Sequence, residues 1–241
     1  MNLLTMMYTT QQIAQAFGKP LELALEQWNN YLEIAQMELF KEFADGYATG
    51  NGAVVSARVD AALAPFKQSD IFTGGTLTHY PSGGGVFGVP CTIFNLTSGL
   101  YRLFDAFAID TAESYPDKVV KIDIVTPDEA GERLNNSITY PTLDYPIMYL
   151  DKEGGSTQYV ATVMPNGLAK IATNGLLYPI TPSLVLSYAN NVPSQDNASV
   201  DVYFDQPFRI DIIRIILKYL GLSVGNDQVR TFVEQQKINE K

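Results

Sequence analysis

His79 is the single histidine of the chain and the side chain whose ordinary titration lies nearest neutral pH. A nucleophile–histidine–acid arrangement would have to run through it. It sits in Leu77–Thr78–His79–Tyr80–Pro81, and no Gly-x-Ser-x-Gly elbow accompanies it. The sequence therefore places it as a loop or interface histidine. Cys91 follows Pro90 in the apolar run Val86–Phe94 and reads as a small buried residue rather than a nucleophile. Gly83–Gly84–Gly85–Val86–Phe87–Gly88 matches the Gly-x-Gly-x-x-Gly string. That fingerprint needs a buried strand before it and a helix after it, whose N-terminus receives a pyrophosphate. Pro81 and Pro90 flank it instead and no helical pattern continues, so it reads as a flexible loop. Asp123, Asp128, Glu129 and Glu132 cluster, and acids at a helix start are favoured by the macrodipole. A glycosidase-type pair would require two acids to stand out from 26, and the spacing singles out none. The sequence assigns no catalytic, cofactor-binding or metal-binding residue.

Composition narrows the classes further. The 241 residues hold one cysteine and one histidine, which excludes an intrachain disulfide, a cysteine-rich zinc site and a multi-histidine metal site. Twenty-six acids against 16 bases leave a net charge of −10, the wrong sign for neutralising a phosphate backbone. The apolar fraction of 46% suffices for a substantial core. Met1–Tyr8 lacks a basic start and is too short for a secretory apolar region. The most apolar window, Ile210–Leu220, is interrupted by Asp211, Arg214 and Lys218, short of a membrane span. The expectation is a soluble protein of a reducing compartment, with the sequons at Asn95, Asn135 and Asn197 as chance matches.

Three zones would position these groups, and their order implies an α+β fold rather than alternating α/β. Residues 1–71 read as helical: a short helix from Thr9 or Thr10 to Phe17, stopped at Gly18; a long one with Pro20 in its first turn; and a third over Val54–Leu63. The long helix carries the stripe Leu21, Leu25, Trp28, Leu32, Ala35, Leu39 and Phe43, and is expected to stop at Asp45–Gly46. Its other face holds Glu22, Glu26, Asn29, Glu33 and Lys41. Residues 72–205 read as a β-rich domain with strands near 101–109, 119–125, 145–150, 158–163, 183–188 and 199–204. Turn signals stand at Glu153–Gly155, Pro165–Gly167, Asn174–Gly175 and Asn190–Asn191. Thr126–Pro127–Asp128–Glu129 is a capping box opening a short helix. Residues 206–241 return to helix through Phe208, Ile212, Ile215, Ile216, Tyr219 and Leu220, with Gly221 as the residue after the cap. A final helix, capped by Asn226 or Asp227, packs back with it on the N-terminal helices.

The charge is uneven: residues 73–205 carry −8 and residues 206–241 carry +2. Taken alone, this describes a solvated acidic surface.

Two stretches together resemble a known class. Tyr31–Leu32–Glu33–Ile34–Ala35–Gln36–Met37–Glu38–Leu39–Phe40–Lys41–Glu42–Phe43 resembles the long helix of virion proteins of tailed phages, especially crAss-like and related phages of Bacteroidetes. Leu63–Ala64–Pro65–Phe66–Lys67 is similar to their step into the β region. Val200–Asp201–Val202–Tyr203–Phe204, then Ile210–Leu222 with its Ile215–Ile216–Leu217–Lys218–Tyr219–Leu220–Gly221 segment, and Glu234–Gln235–Gln236–Lys237 resemble the ending of neck or ring proteins. The resemblance spans both ends, about a third of the chain; Gly74–Gly88 and Pro179–Pro193 lie outside it.

The resemblance implies a virion structural protein without catalytic residues or cofactors, made in the host cytoplasm: a subunit of a head-to-tail connector or neck ring, of the podophage adaptor kind. It implies a homo-oligomeric ring, commonly twelve-fold, closed by heterologous contacts. The portal protein and neighbouring neck or tail rings would be its partners, and genomic DNA would pass through without sequence-specific binding or any membrane contact. Trp28, Leu32, Phe43, Ile212, Ile216 and Tyr219 are then the expected subunit-packing residues. Gly83, Gly84, Gly85, Asn190, Asn191 and Gln195 are the expected partner-contact loops. Other readings are a tail-tube, collar or capsid-associated protein, an acid-pair hydrolase, and a monomeric binding module.

Overall fold

A computed structural model describes residues 1–19, 22–49, 57–73, 76–80, 89–110, 118–152, 158–225, 228–231 and 234. The chain is α+β. Helices α1 (Leu3–Ala16), α2 (Leu25–Thr49) and α3 (Ala57–Leu63) lead through a 3-10 turn, Ala64–Phe66, into strands. These are β1 (Lys67–Thr73), β2 (Thr76–Tyr80), β3 (Val89–Asn95), β4 (Leu100–Asp110) and β5 (Lys118–Ile124). Helix α4 (Pro127–Leu134) precedes β6 (Ile147–Lys152), β7 (Tyr159–Met164) and β8 (Lys170–Leu177). A hairpin, β9 (Leu186–Ala189) and β10 (Val192–Gln195), comes before α5 (Gln206–Tyr219). Two compact units result: one from residues 1–66 and 179–241, the other from residues 67–178.

In the helical unit, α1 begins at Leu3, not at Thr9. Asn2 is its N-cap, its side chain accepting from the Thr5 N–H at 2.8 Å. Thr9 and Thr10 lie inside the helix, where their hydroxyls donate back to the carbonyls of Thr5 and Met6, both at 2.8 Å. Gly18, at φ 76°, ends α1. Its N–H reaches the Gln15 carbonyl and that of Lys19 reaches the Ala14 carbonyl, the paired closure of a Schellman motif. Gly221, at φ 75°, ends α5 in the same way, with Leu222 N–H on the Leu217 carbonyl at 2.8 Å. Helix α2 continues past Asp45–Gly46 to Thr49. A glycine weakens a helix by about 1 kcal/mol but stops it only when the backbone turns left-handed, and Gly46 does not. The stripe Trp28, Leu32, Ala35, Leu39 and Phe43 is buried, as are Phe208, Ile212, Ile213, Ile215 and Ile216 of α5, which packs on α1 and α2. Phe40, Phe43, Phe66, Phe204 and Phe208 form an aromatic cluster with centroid separations of 4.9 to 6.1 Å.

The boundary expected near residue 205 falls at residues 178–179, and the one near 71 at residues 66–67. Residues 179–205 belong to the helical unit because polar residues of α2 hold their backbone. Asn29 pairs with Leu184 through two bonds, and buried Gln36 donates to the Ile180 carbonyl and accepts from the Tyr203 N–H, both at 2.8 Å. The strand expected over 199–204 is reduced to one bridge, Ser183 to Val200. Its other backbone N–H groups turn to local partners, Ser199 to the Asp196 carbonyl and Val202 to the Asp201 side chain, while that of Tyr203 goes to Gln36.

The second unit is a curled sheet of order β1-β8-β4-β5-β6-β7-β3-β2. Every pairing is antiparallel except β5–β6, which is parallel over two residues and crosses through α4, as a parallel link requires. Strand β6 alternates: Met148 and Leu150 face a core with Phe94, Ile122, Ala161, Val163 and Ile171, while Ile147 and Tyr149 face a second core with Cys91, Val125 and Met164, which Ala130 of α4 covers. β1 occupies residues expected to be helical up to Ile71; its alternating exposure is a strand's. Asn174–Gly175, expected as a turn, lies within β8. β4 bulges opposite it, and a side chain at Gly175 would stand 2.7 Å from the Arg102 carbonyl oxygen. The glycine serves close backbone approach, not a turn.

Candidate functional site

Five of the six expected subunit-packing residues, Trp28, Leu32, Phe43, Ile212 and Ile216, are buried in the protein's own helical unit. They form part of its core. Tyr219 is 47% exposed and does not close that core. Its hydroxyl donates to Glu38 at 2.6 Å, and Lys218 reaches the other oxygen of the same carboxylate at 3.1 Å. The tyrosine's bond, aided by Lys218, holds the Glu38 carboxyl below the usual carboxylate range, and the same bond raises the Tyr219 phenol above its ordinary value. A cavity of about 480 Å³ opens beside Glu38 and Lys218, with Glu42, Arg214 and residues Gly221–Val224 in its wall.

The expected contact loop at Gly83, Gly84 and Gly85 lies outside the described residues, as does the whole glycine string. Asn190 and Asn191 form the two-residue turn of the β9–β10 hairpin at φ 53° and 64°. Positive φ at both positions defines a type I′ turn, which asparagine tolerates. Gln195 is not in a loop but ends β10, and its Oε1 accepts from the Leu3 N–H at 3.0 Å. It anchors the hairpin's base to α1. At the tip, Tyr188 is 69% and Val192 64% exposed. They stand on opposite faces, since Tyr188 pairs with Pro193 and Val192 with Ala189. Both faces of the tip are therefore wet and apolar.

A surface that the sequence did not single out lies in the second unit. Ile138 is 91% and Tyr145 79% exposed, with Tyr140 and Leu143 also in solvent. The connection bearing them is braced by its own bonds: Thr139 N–H to the Asn136 carbonyl, and reciprocal bonds between Thr142 and Tyr145. Beside it a cavity of about 710 Å³ is lined by Asp123, Arg133, Ile138, Tyr140, Thr142 and Tyr145. Arg133 bridges Asp123 at 3.0 Å and Glu129 at 2.8 Å, and these bonds raise the guanidinium pKa further. The capping box is thus half made. The Thr126 hydroxyl accepts from the Glu129 N–H at 3.2 Å, while the Glu129 side chain turns to Arg133. The i,i+4 spacing of Glu129 and Arg133 was the available signal.

His79 is in strand β2 opposite Pro90, not in a loop, and Cys91 is buried in β3 as expected. Among the described residues no group of three or more histidine, cysteine, aspartate or glutamate side chains could hold a metal ion, and no helix is long and apolar enough to cross a membrane. No protein-family model matches the chain, and no curated protein matches it.

Proposed function

We propose that the chain is a virion structural protein: a subunit of a head-to-tail connector or neck ring that docks below the portal and lines part of the DNA channel. The observation carrying this reading is the β9–β10 tip, where Tyr188 and Val192 expose apolar surface on both faces of a two-stranded hairpin. Such a hairpin is marginal alone, and an apolar projection rooted in the helical unit suits insertion into a neighbour. The braced Ile138–Tyr145 surface supplies a second, different patch. Two unlike patches suit the heterologous contacts that close a ring. The resemblance of both chain ends to neck and ring proteins supports the same reading.

At −10 per subunit a ring carries a charge on the order of a hundred, so its acids must meet bases across subunits or be screened within about 8 Å. An acidic lumen offers DNA few cations to displace counterions, so DNA slides past it. Electron-microscopy class averages of the purified full chain, alone and with portal, test the proposal. Rotationally symmetric rings are the expected result. A monodisperse monomer at high concentration, together with particles in which the protein touches no ring of the neck or tail, overturns it.

A further inference from the structure

We infer that Asn166–Gly167 is a site of spontaneous deamidation, and that the same dipeptide at Asn174–Gly175 is protected by the sheet. The chain has three Asn–Gly pairs, the third being Asn51–Gly52, which lies outside the described residues. The reaction needs no enzyme. The Gly167 backbone nitrogen loses its proton and attacks Cγ of Asn166. A new C–N bond closes a five-membered succinimide, and the Cγ–Nδ2 bond breaks, releasing ammonia. Water then adds to either ring carbonyl and opens it to aspartate or isoaspartate. Nothing is oxidised or reduced, and water is the only co-reactant.

Two conditions control the rate: the peptide N–H must be free of a hydrogen bond, and the backbone must be free to rotate toward the side chain. Both hold at Asn166–Gly167. The pair is exposed in the connection between β7 and β8. Gly167 sits at φ 98°, with nothing within 4 Å of the position a side chain would occupy. Among the described residues no hydrogen bond holds the Gly167 N–H or the Asn166 side chain. The second condition fails at Asn174–Gly175. Asn174 lies in β8 between Ser69 of β1 and Asp105 of β4, and its Oδ1 accepts from the Ser69 hydroxyl at 2.7 Å. Gly175 is pressed against the bulged backbone at Arg102. Ring closure there must wait for β8, which is paired on both sides, to open, and such opening of paired strands costs free energy that the exposed turn does not.

The consequence reaches the core. Either product adds one negative charge to the turn. Isoaspartate also lengthens the backbone by one carbon, two residues before Leu168, which is buried in one cluster with Ile171 and Leu100. The turn that seats Leu168 would have to give.

The test is incubation of the folded full chain at mildly alkaline pH, followed by peptide mapping with mass spectrometry, which separates the three Asn–Gly sites. The peptide holding Asn166 should gain the acid mass and an isoaspartate-shifted retention time about tenfold or more faster than the peptide holding Asn174, because strand opening is the slow step for the latter. In denaturant the two rates should converge. Asn166→Gln should abolish the signal in its own peptide while the folded spectrum is kept. Equal rates in the folded protein, or an Asn166 peptide unchanged while the denatured control reacts, overturn the inference.

Discussion

Asn29 holds Leu184 with both halves of one amide: its Nδ2 donates to the Leu184 carbonyl at 3.1 Å and its Oδ1 accepts from the Leu184 N–H at 2.8 Å. The pairing imitates a strand ladder on the side of a helix. Seven residues on, Gln36 repeats it across Ile180 and Tyr203. Two turns of α2 thereby fix a segment more than 140 residues away in sequence.

Replacing these amides should loosen that segment. Asn29→Ala and Gln36→Ala should each cost about 1–3 kcal/mol, because backbone groups are left unpaired. Gln36 should cost more, since its surroundings are dry. Amide exchange should speed up at Leu184 in the first variant and at Tyr203 in the second. Unchanged exchange at both would show that the amide pairs do not hold the segment.

How much of this was legible divides by range. Helix α4 was legible because its signals are local: the Thr126 cap and Pro127 in the first turn. The stripe of α2 was legible because burial repeats with the helix period. The Asn190–Asn191 turn was legible because its backbone demands residues that tolerate positive φ. Asn29 was not, since a half-buried asparagine among glutamates looks like a solvated face until its partner folds against it. Gly175 misled because Asn–Gly encodes a turn locally, whereas here close approach of β4 decides. Tyr219 misled because periodicity gives a stripe and not its edge, and this residue lies at the edge beside Glu38.

Trp28→Ala should cost about 3–5 kcal/mol. Since Trp28 is buried within its own helical unit, the loss should be the same at every protein concentration. Denaturation midpoints over a wide dilution series measure it. A loss that grows on dilution would place Trp28 between subunits instead.

Glycine replacements should act with opposite signs. Gly175→Ala drives a methyl group to 2.7 Å from the Arg102 carbonyl oxygen, and forced overpacking costs about 1–3 kcal/mol. Gly46→Ala in α2 meets nothing within 4 Å and should stabilise by about 0.5–1 kcal/mol. Thermal melts of the two variants read the signs directly.

The Glu38–Tyr219 contact sets a pH window. Glu38 has a lowered folded-state pKa, chiefly through Tyr219, so the unfolded chain binds more protons near the ordinary glutamate value. Its stabilisation is therefore present above that value, about pH 4.3, and is lost as pH falls through the folded pKa. Tyr219 has a raised folded-state pKa through Glu38. Its contribution is present below the ordinary phenol value, about pH 10, and is lost as pH rises through the folded one. The stability gap between the parent and Tyr219→Phe should be flat across neutrality and shrink at both ends. Urea titrations at a series of pH values test this, and a gap independent of pH would assign the contact no electrostatic part.

The hairpin tip should separate assembly from folding. Tyr188 and Val192 bury little against their own chain, so Tyr188→Ser with Val192→Ser should change the melting temperature little, as exposed substitutions do. If the tip inserts into a neighbour, the double variant should lose rings, because apolar anchors at an interface cost 2 kcal/mol or more when removed (roughly thirtyfold in each contact). In a closed ring each subunit makes that contact once, so the effect compounds around the circle. Light scattering on parent and variant at matched concentration reads the outcome. Rings intact in a folded variant would move the interface away from the hairpin and toward Ile138 and Tyr145, where the matching pair of serine substitutions would then have to break the ring.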